Sequence, residues 1–464
     1  MKTKQLFSTL AIASCLLFSQ CSTKKEKTEE VKVDVPVTAE TALQSYLNND
    51  DKSFKWEVME SYPIEGMPVT AYDLKLTSQK WREHVWKHQL TVLVPEEIKY
   101  DGGLLFITGG SVKDGEPNLS KQTDETAAAF GVIAAKNKAV CAIIRQTPNQ
   151  PLYDGLVEDQ LISFTLHNFK NDGDFTWPLL FPMVKTAVRS MDAIQEFTEQ
   201  KLETKINRFV VSGASKRGWT TWLTGANDAR VEAIAPMVID VLNMPVSLNY
   251  QIEVWKEYSI QIEDYVKLEI PQQVHTEAGD AITKMVDPYS YREKLTMPKM
   301  IIIGTIDEYW PVDAIKNYID SIPGQNFIQY VPNAGHGLGD KTQALQAVSS
   351  FFSTTLQKKA HPVCDWKIND ENAKINLTAI ASPDRLKGAL LWSADSEDRD
   401  FRDEEWTSQD LSVSNIENVE TTIDYPKAGF KAFYIDLKYT DPNGDEYVES
   451  TRMFVADSEK VYVK

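Results

Sequence analysis

From about residue 46 to residue 358 the chain repeats one pattern, a short apolar run followed by a longer amphipathic stretch. The runs are LTVLVP (90–95), GLLFITG (103–109), AVCAII (139–144), RFVVSG (208–213), EAIAPMVI (232–239), KMIIIG (299–304) and FIQYVP (327–332). A strand with one solvated face alternates with period two, whereas a strand covered on both faces reads as a continuous apolar run. Several of these are of the second kind, so they predict a largely parallel sheet. NLSKQTDETAAAFGV, FPMVKTAVRSMDAIQEFTEQ, KRGWTTWLTGA and DAIKNYIDSI supply helices between them. Strands and helices in alternation make a doubly wound α/β sheet with right-handed crossovers.

Two stretches are too long for plain connections. Residues 145–180, rich in Pro, Asp and aromatics, and 241–297, expected to be mostly helical, read as insertions over the C-terminal edge of the sheet, where α/β folds bind ligands. From 361 to 464 the texture changes to period-two runs such as AKINLTAI, GALLWSA and FKAFYIDLKY. With DYPKAG and DPNGDE as turns, these predict a small, separate β-sandwich of immunoglobulin-like size.

Ahead of the body lies a leader. MKTK is basic, LFSTLAIASCLLFS is apolar but short for a bilayer span, and Cys21 is followed by STKKEKTEE. Residues 1–20 are therefore expected to be a signal peptide, with Cys21 the lipidated N-terminus of a bacterial envelope lipoprotein that is periplasmic or surface-exposed. Residues 21–45 read as a Lys/Glu-rich tether to an α/β body spanning 46–358. The 464 residues carry 49 Lys and Arg against 67 Asp and Glu, a formal charge of −18. So acidic a chain is a poor match for nucleic acid. Of four cysteines, Cys141 and Cys364 lie beyond the leader and anchor, and Cys141 reads as a buried apolar side chain. His84 and His88 are four apart in a strand-like context, which argues against a zinc pair, so no metal is expected. The first Gly-rich turn, GGLLFITGGS, lacks the dinucleotide fingerprint, and no cofactor is expected.

The sharpest chemical signal is VVSGASKRGWTTW. A strand ends at Gly213, Ser215 follows, and a helix starts at once, the strand–turn–helix that projects a nucleophilic serine from a sheet edge. Arg217 stands at the second glycine of G-x-S-x-G, and Gly218 comes one residue later. Asp307 follows KMIIIG and His336 follows FIQYVP, giving the chain order Ser, acid, His of α/β-hydrolases. Asp240, after EAIAPMVI, is the alternative acid. Oxyanion donors are expected from the Lys216 N–H and from Gly109 and Gly110 after an early strand. Tyr153, Trp177, Tyr309 and Trp310 are candidates for an aromatic wall, and Glu158 and Asp159 either hold a cationic substrate group or pair within the lid. SADSEDRDFRDEEW reads as a solvated loop, and Asp441, Asn443 and Asp445 as hairpin chemistry rather than ion ligands.

Beyond these residues, GASKRGWTTWLTGANDARVEAIAPMVIDVLN, WPLLFPMVKTAVRSMDA, VDPYSYREKLTMPKMIIIGTIDEYW, VPNAGHGL and ALLWSADSEDRDFR closely resemble the PhoPQ-activated pathogenicity-related protein family. The resemblance implies an α/β-hydrolase-like fold, an exported or membrane-attached location and serine hydrolase chemistry, with Ser215 in SKRG, Asp307 in DE and His336 in PNAGH. The GASKRG elbow also resembles that of glucuronoyl esterases, Lys216 standing where they carry an arginine. The expectation is an exported, membrane-anchored serine hydrolase acting on a small-molecule, carbohydrate-ester or peptide substrate, esters before amides. Its rival is a non-catalytic binding lipoprotein on the same scaffold.

Overall fold

All seven apolar runs are strands, and they lie side by side. A computed structural model describes residues 36–371, 374–413 and 417–464. Its main sheet contains, in spatial order, His84–Pro95, Val140–Ile144, Gly102–Ile107, Arg208–Ala214, Val231–Met237, Lys299–Gly304 and Asn326–Val331. The last six are mutually parallel, and His84–Pro95 pairs antiparallel with Val140–Ile144. Helices cover both faces, which is why these strands have no polar side. Glu125–Asn137 and Thr342–Leu356 bury Phe130, Ile133, Ala347 and Phe351 on one face. Leu180–Leu202 and Lys216–Asn227 bury Phe181, Met191, Trp222 and Leu223 on the other. The first of these helices is started by Asp124, whose carboxylate accepts from the Ala127 N–H.

Strands Lys55–Pro63 and Val69–Trp81 extend the sheet as an antiparallel meander ahead of His84–Pro95. Helix Ala42–Leu47 buries Ala42, Leu43 and Tyr46, and the folded body begins at Val37. The end of the expected 21–45 tether is thus part of the body, because its apolar residues find the core. The leader over 1–20 and Cys21 lie outside the described residues.

The C-terminal strands differ from expectation in a more instructive way. Cys364–Glu371, Lys374–Ala381 and Asn418–Asp424 form a three-stranded antiparallel sheet. Leu386–Ser396, Thr407–Leu411, Phe430–Thr440 and Glu446–Ser450 instead continue the main sheet, joined to it where Ile328 pairs with Ser450. Leu377, Ala379 and Ile423 of the small sheet share a core with Ile435, Leu437 and Tyr439 of the extension. Two layers do pack face to face, but one of them belongs to the main sheet, so 361–464 is not a separate sandwich and Val37–Lys464 is one compact unit. Asn326–Val331 would otherwise be an open edge with unpaired backbone groups. The Tyr330 N–H donates to Ser450 Oγ at 3.1 Å, and the Tyr330 and Tyr434 rings meet at 4.9 Å.

DAIKNYIDSI is not one helix but two short 3-10 turns, Ala314–Asn317 and Ile319–Ser321. Asp313, just ahead of them, accepts from Lys316 at 2.9 Å and from the Tyr250 hydroxyl at 2.7 Å. The two insertions are helical. Glu158–Asp172 lies in the first, and Met244–Trp255, Glu263–Val266 and Glu277–Val286 lie in the second. Among the described residues no helix is long and apolar enough to cross a membrane.

Candidate active site

Strand Arg208–Ala214 ends one residue before Ser215, and helix Lys216–Asn227 begins one residue after it. Ser215 is held at φ 58°, ψ −127°, a conformation that L-residues rarely adopt and that costs on the order of 1–3 kcal/mol. Two hydrogen bonds impose it: Ser215 N–H donates to the Met237 carbonyl, and the Ser215 carbonyl accepts from Trp219 N–H, both at 2.9 Å. Two glycines make the turn possible. A Cβ on Gly213 would lie 2.7 Å from the Arg217 carbonyl oxygen, and one on Gly218 would lie 2.7 Å from the Met237 carbonyl oxygen. Gly218 therefore provides the close approach expected of the missing second glycine, shifted by one residue. Nothing in the motif taken alone discloses this, because it depends on the neighbouring strand.

Arg217 is turned away from the serine. Its Nε donates to the Thr147 carbonyl at 2.6 Å and its Nη2 to Glu158 at 2.7 Å. A Cβ on Gly109 would lie 2.7 Å from that Nη2, and one on Gly110 would lie 3.1 Å from the Gln146 nitrogen. Gly110, at φ 139°, has a backbone conformation that side-chain-bearing residues rarely adopt, whereas a side chain at Gly109 would meet only the flexible end of Arg217. Lys216 is buried, its Nζ 3.0 Å from both Glu158 and Asp159. Its backbone N–H is in the first turn of a helix, where no intrahelical acceptor exists. Glu158 and Asp159 are accordingly engaged with elbow cations. Burial pushes the Glu158 carboxyl up, but Arg217 and Lys216 outweigh it and hold it at about 2.

Asp307 and His336 meet. His336 Nδ1 lies 3.1 and 3.0 Å from the two Asp307 carboxylate oxygens. An ionised carboxylate only accepts, so Nδ1 carries the proton and Nε2 presents its lone pair in the neutral ring. Nε2 is buried without a hydrogen-bond partner among the described residues, so it makes no hydrogen bond to Ser215 Oγ in this structure. The loops are fixed from several sides. Asp307 accepts from Tyr309 N–H at 2.9 Å, and Glu308 accepts from His336 N–H at 2.8 Å. The Tyr309 ring stacks on the imidazole with centroids 4.0 Å apart. Neither the Glu308 nor the Tyr309 contact is visible in the sequence, although both residues adjoin Asp307.

Asp240 is not the partner of His336. It is buried, and no donor among the described residues reaches either carboxylate oxygen in good hydrogen-bond geometry; burial, aided by the nearby Asp307 and Asp313 charges and only partly opposed by the neighbouring Tyr318 hydroxyl and Ile315 N–H, pushes it up to about 8. Of the four aromatics, Tyr309 and Trp310 line a cavity of about 90 Å³ that Ser215 and Lys216 also line, with both insertions forming its far walls. Tyr153 and Trp177 instead pack against each other, Arg82 covering Trp177. His88 is a buried strand residue, bonded to Ser78 Oγ at 2.9 Å and pushed down to about 4 by burial. Arg399 pairs with Glu253 and Arg402 with Asp400, and the Asp441 carboxylate accepts from the N–H groups of Asn443 and Asp445. Cys141 and Cys364 are free. Among the described residues no group of three or more His, Cys, Asp or Glu is placed to hold a metal ion.

Residues 43–402 match the family described as PhoPQ-activated pathogenicity-related protein. Autocrine proliferation repressor protein A of Dictyostelium discoideum is 29% identical over 436 residues, covering 86% of each chain. Among solved structures, acetyl xylan esterase 1 from Thermoanaerobacterium sp. JW/SL YS485 superposes with a TM-score of 0.46 at 16% identity, over 68% of this chain and 94% of its own. A glucuronoyl esterase from Solibacter usitatus does so with a TM-score of 0.40 at 11% identity, over 67% and 91%.

Proposed function

The chain belongs to the PhoPQ-activated pathogenicity-related protein family, and from that premise we propose that it is a serine hydrolase cleaving an ester, or less readily an amide, through an acyl-enzyme on Ser215. The observation that carries this reading is the Asp307–His336 pair, with Nε2 unpartnered, on the two strand ends beyond a serine held in a strained elbow. Ser215 Oγ attacks the carbonyl carbon while His336 Nε2 takes its proton. The Asp307 carboxylate orients the ring and stabilises the imidazolium. Lys216 N–H donates to the developing oxyanion. Collapse breaks the bond to the leaving group, which departs with the proton from Nε2. Water then gives a proton to Nε2, attacks the acyl-enzyme and releases the acid, and Ser215 recovers its proton.

The absence of a hydrogen bond between Ser215 Oγ and His336 Nε2 favours one rival, a binding protein on the same scaffold. Catalytic hydrogen bonds are often loose without substrate, however, and the strained serine has no use in a binder. A fluorophosphonate probe decides between them. Labelling of the wild type that disappears in Ser215→Ala is expected; no labelling of a folded wild type would establish the binder. We also propose that Cys21 anchors the chain to a bacterial envelope membrane. Incorporation of a palmitate analogue, lost in Cys21→Ala, is the expected result.

A further inference from the structure

The cavity beside Ser215 is walled by Trp219, Ile239, Leu248, Ile262, Ile282 and Val286. Its charged and amide groups are already engaged within the wall. Asp159 accepts from Tyr265 at 2.8 Å and pairs with Lys216 at 3.0 Å; Lys170 Nζ donates to the Leu268 carbonyl at 2.9 Å; Gln273 donates to Glu269 at 2.7 Å. Trp219 Nε1 donates to the Val286 carbonyl at 2.6 Å. Trp310 Nε1 is buried without a partner among the described residues and has almost no surface open to the cavity. A sugar ring placed here would set several hydroxyls against mostly apolar walls, and each one left unbonded costs about 1–3 kcal/mol. An alkyl or aryl chain meets no such penalty.

Resting on the serine hydrolase reading, we infer that the substrate is an ester with an apolar chain next to the scissile bond, seated in this cavity while any polar remainder stays outside. The size of the cavity suits a short alkyl chain, and a six-carbon chain serves as the probe. In the acylation step Ser215 Oγ bonds to the carbonyl carbon, the ester C–O bond breaks, and the alcohol leaves with the proton from His336. The apolar chain belongs either to the acid, and stays on Ser215, or to the departing alcohol.

The test measures kcat/KM of the purified protein on ethyl hexanoate, hexyl acetate and ethyl acetate. Each buried methylene is worth about fourfold, so one six-carbon ester should exceed ethyl acetate by on the order of 100-fold, and which one it is assigns the chain to acid or alcohol. Leu248→Trp and Ile282→Trp, which fill the cavity, should each cut that ratio by about tenfold or more. If a variant misfolds by circular dichroism, the wild-type comparison stands by itself, as does the labelling rate of hexyl- against methyl-fluorophosphonate. Equal or better use of ethyl acetate, or equal labelling by the two probes, overturns the apolar chain and leaves the hydrolase intact. Neither turnover nor labelling of any compound sinks the hydrolase reading itself, and this inference with it.

Discussion

Asp240 and Asp307 stand in similar places and behave in opposite ways. Each is a buried acid a few residues beyond one of two adjacent parallel strands, Val231–Met237 and Lys299–Gly304. Asp307 is met by the His336 ring and the Tyr309 N–H. Asp240 has no well-formed hydrogen bond among the described residues, only the Tyr318 hydroxyl and Ile315 N–H nearby, and burial raises it to about 8. The position after a strand therefore nominates an acid without assigning its role. What decides is the donors that the next loop brings, and here that loop carries His336.

The largest expected effect sets the two acids directly against each other. Asp307→Asn removes the acceptor that fixes the imidazole and stabilises its cation, and turnover of the preferred ester should fall by on the order of 10³–10⁴. Asp240→Asn should leave turnover within about threefold. Steady-state kinetics of the two variants check this, and a reversal would make Asp240 the working acid.

Next in size is a stability effect to which Asp240 contributes. Its folded pKa, about 8, lies above the ordinary 3.8 that the unfolded chain approaches, so the folded state binds the extra proton. Its contribution is full below about pH 4 and is lost as pH rises through about 8. Asn never ionises. Asp240→Asn should gain on the wild type in unfolding free energy, read from urea titrations, as pH rises from 4 to 8, by a few kcal/mol. Parallel pH dependence of the two proteins would show that Asp240 is solvated. Asp287 and Asp436, both raised to about 7 by burial, leave residual dependence in both.

Much of this site was legible in the chain because each of its parts follows an uninterrupted apolar strand. VVSG before Ser215, MIIIG before Asp307 and FIQYVP before His336 place three side chains at one sheet edge by local pattern alone. What was not legible depends on contacts between distant segments. Gly218 is a glycine because the Met237 carbonyl approaches it. The period-two strands after residue 361 were readable as strands, but alternation records a half-solvated face and not the neighbour it pairs with. The Ile328–Ser450 pairing that merges them into the main sheet has no local signature. Lys55–Trp81 gave no strand expectation because its mixed polar sequence lacks the apolar run of a strand covered on both faces.

Smaller again is the effect of the ring beside the base. Tyr309 stacks on His336 and lines the cavity, so Tyr309→Ala should lower kcat about tenfold through a looser imidazole, while Tyr309→Phe keeps the ring and most of the rate. Equal loss in both variants would move the role from the ring to the hydroxyl.

The smallest expected effect concerns the acid that binds lid to elbow. Glu158 opens the helix of the first insertion, bonds Gln150, and faces Arg217 and Lys216, whose charges keep it ionised down to about pH 2. Glu158→Gln keeps the shape and one hydrogen-bonding oxygen but removes the charge, so Arg217 and the lid should still meet, less firmly. Because Glu158 is partly exposed, salt and water screen the pair and the loss should be modest. We expect KM to rise about threefold with kcat nearly unchanged, since the elbow itself is held by Gly213, Gly218 and the Met237 carbonyl. A fall in kcat instead would mean that the ion pairs also hold Ser215 in line with His336, and the lid would then belong to the catalytic geometry together with Asp307.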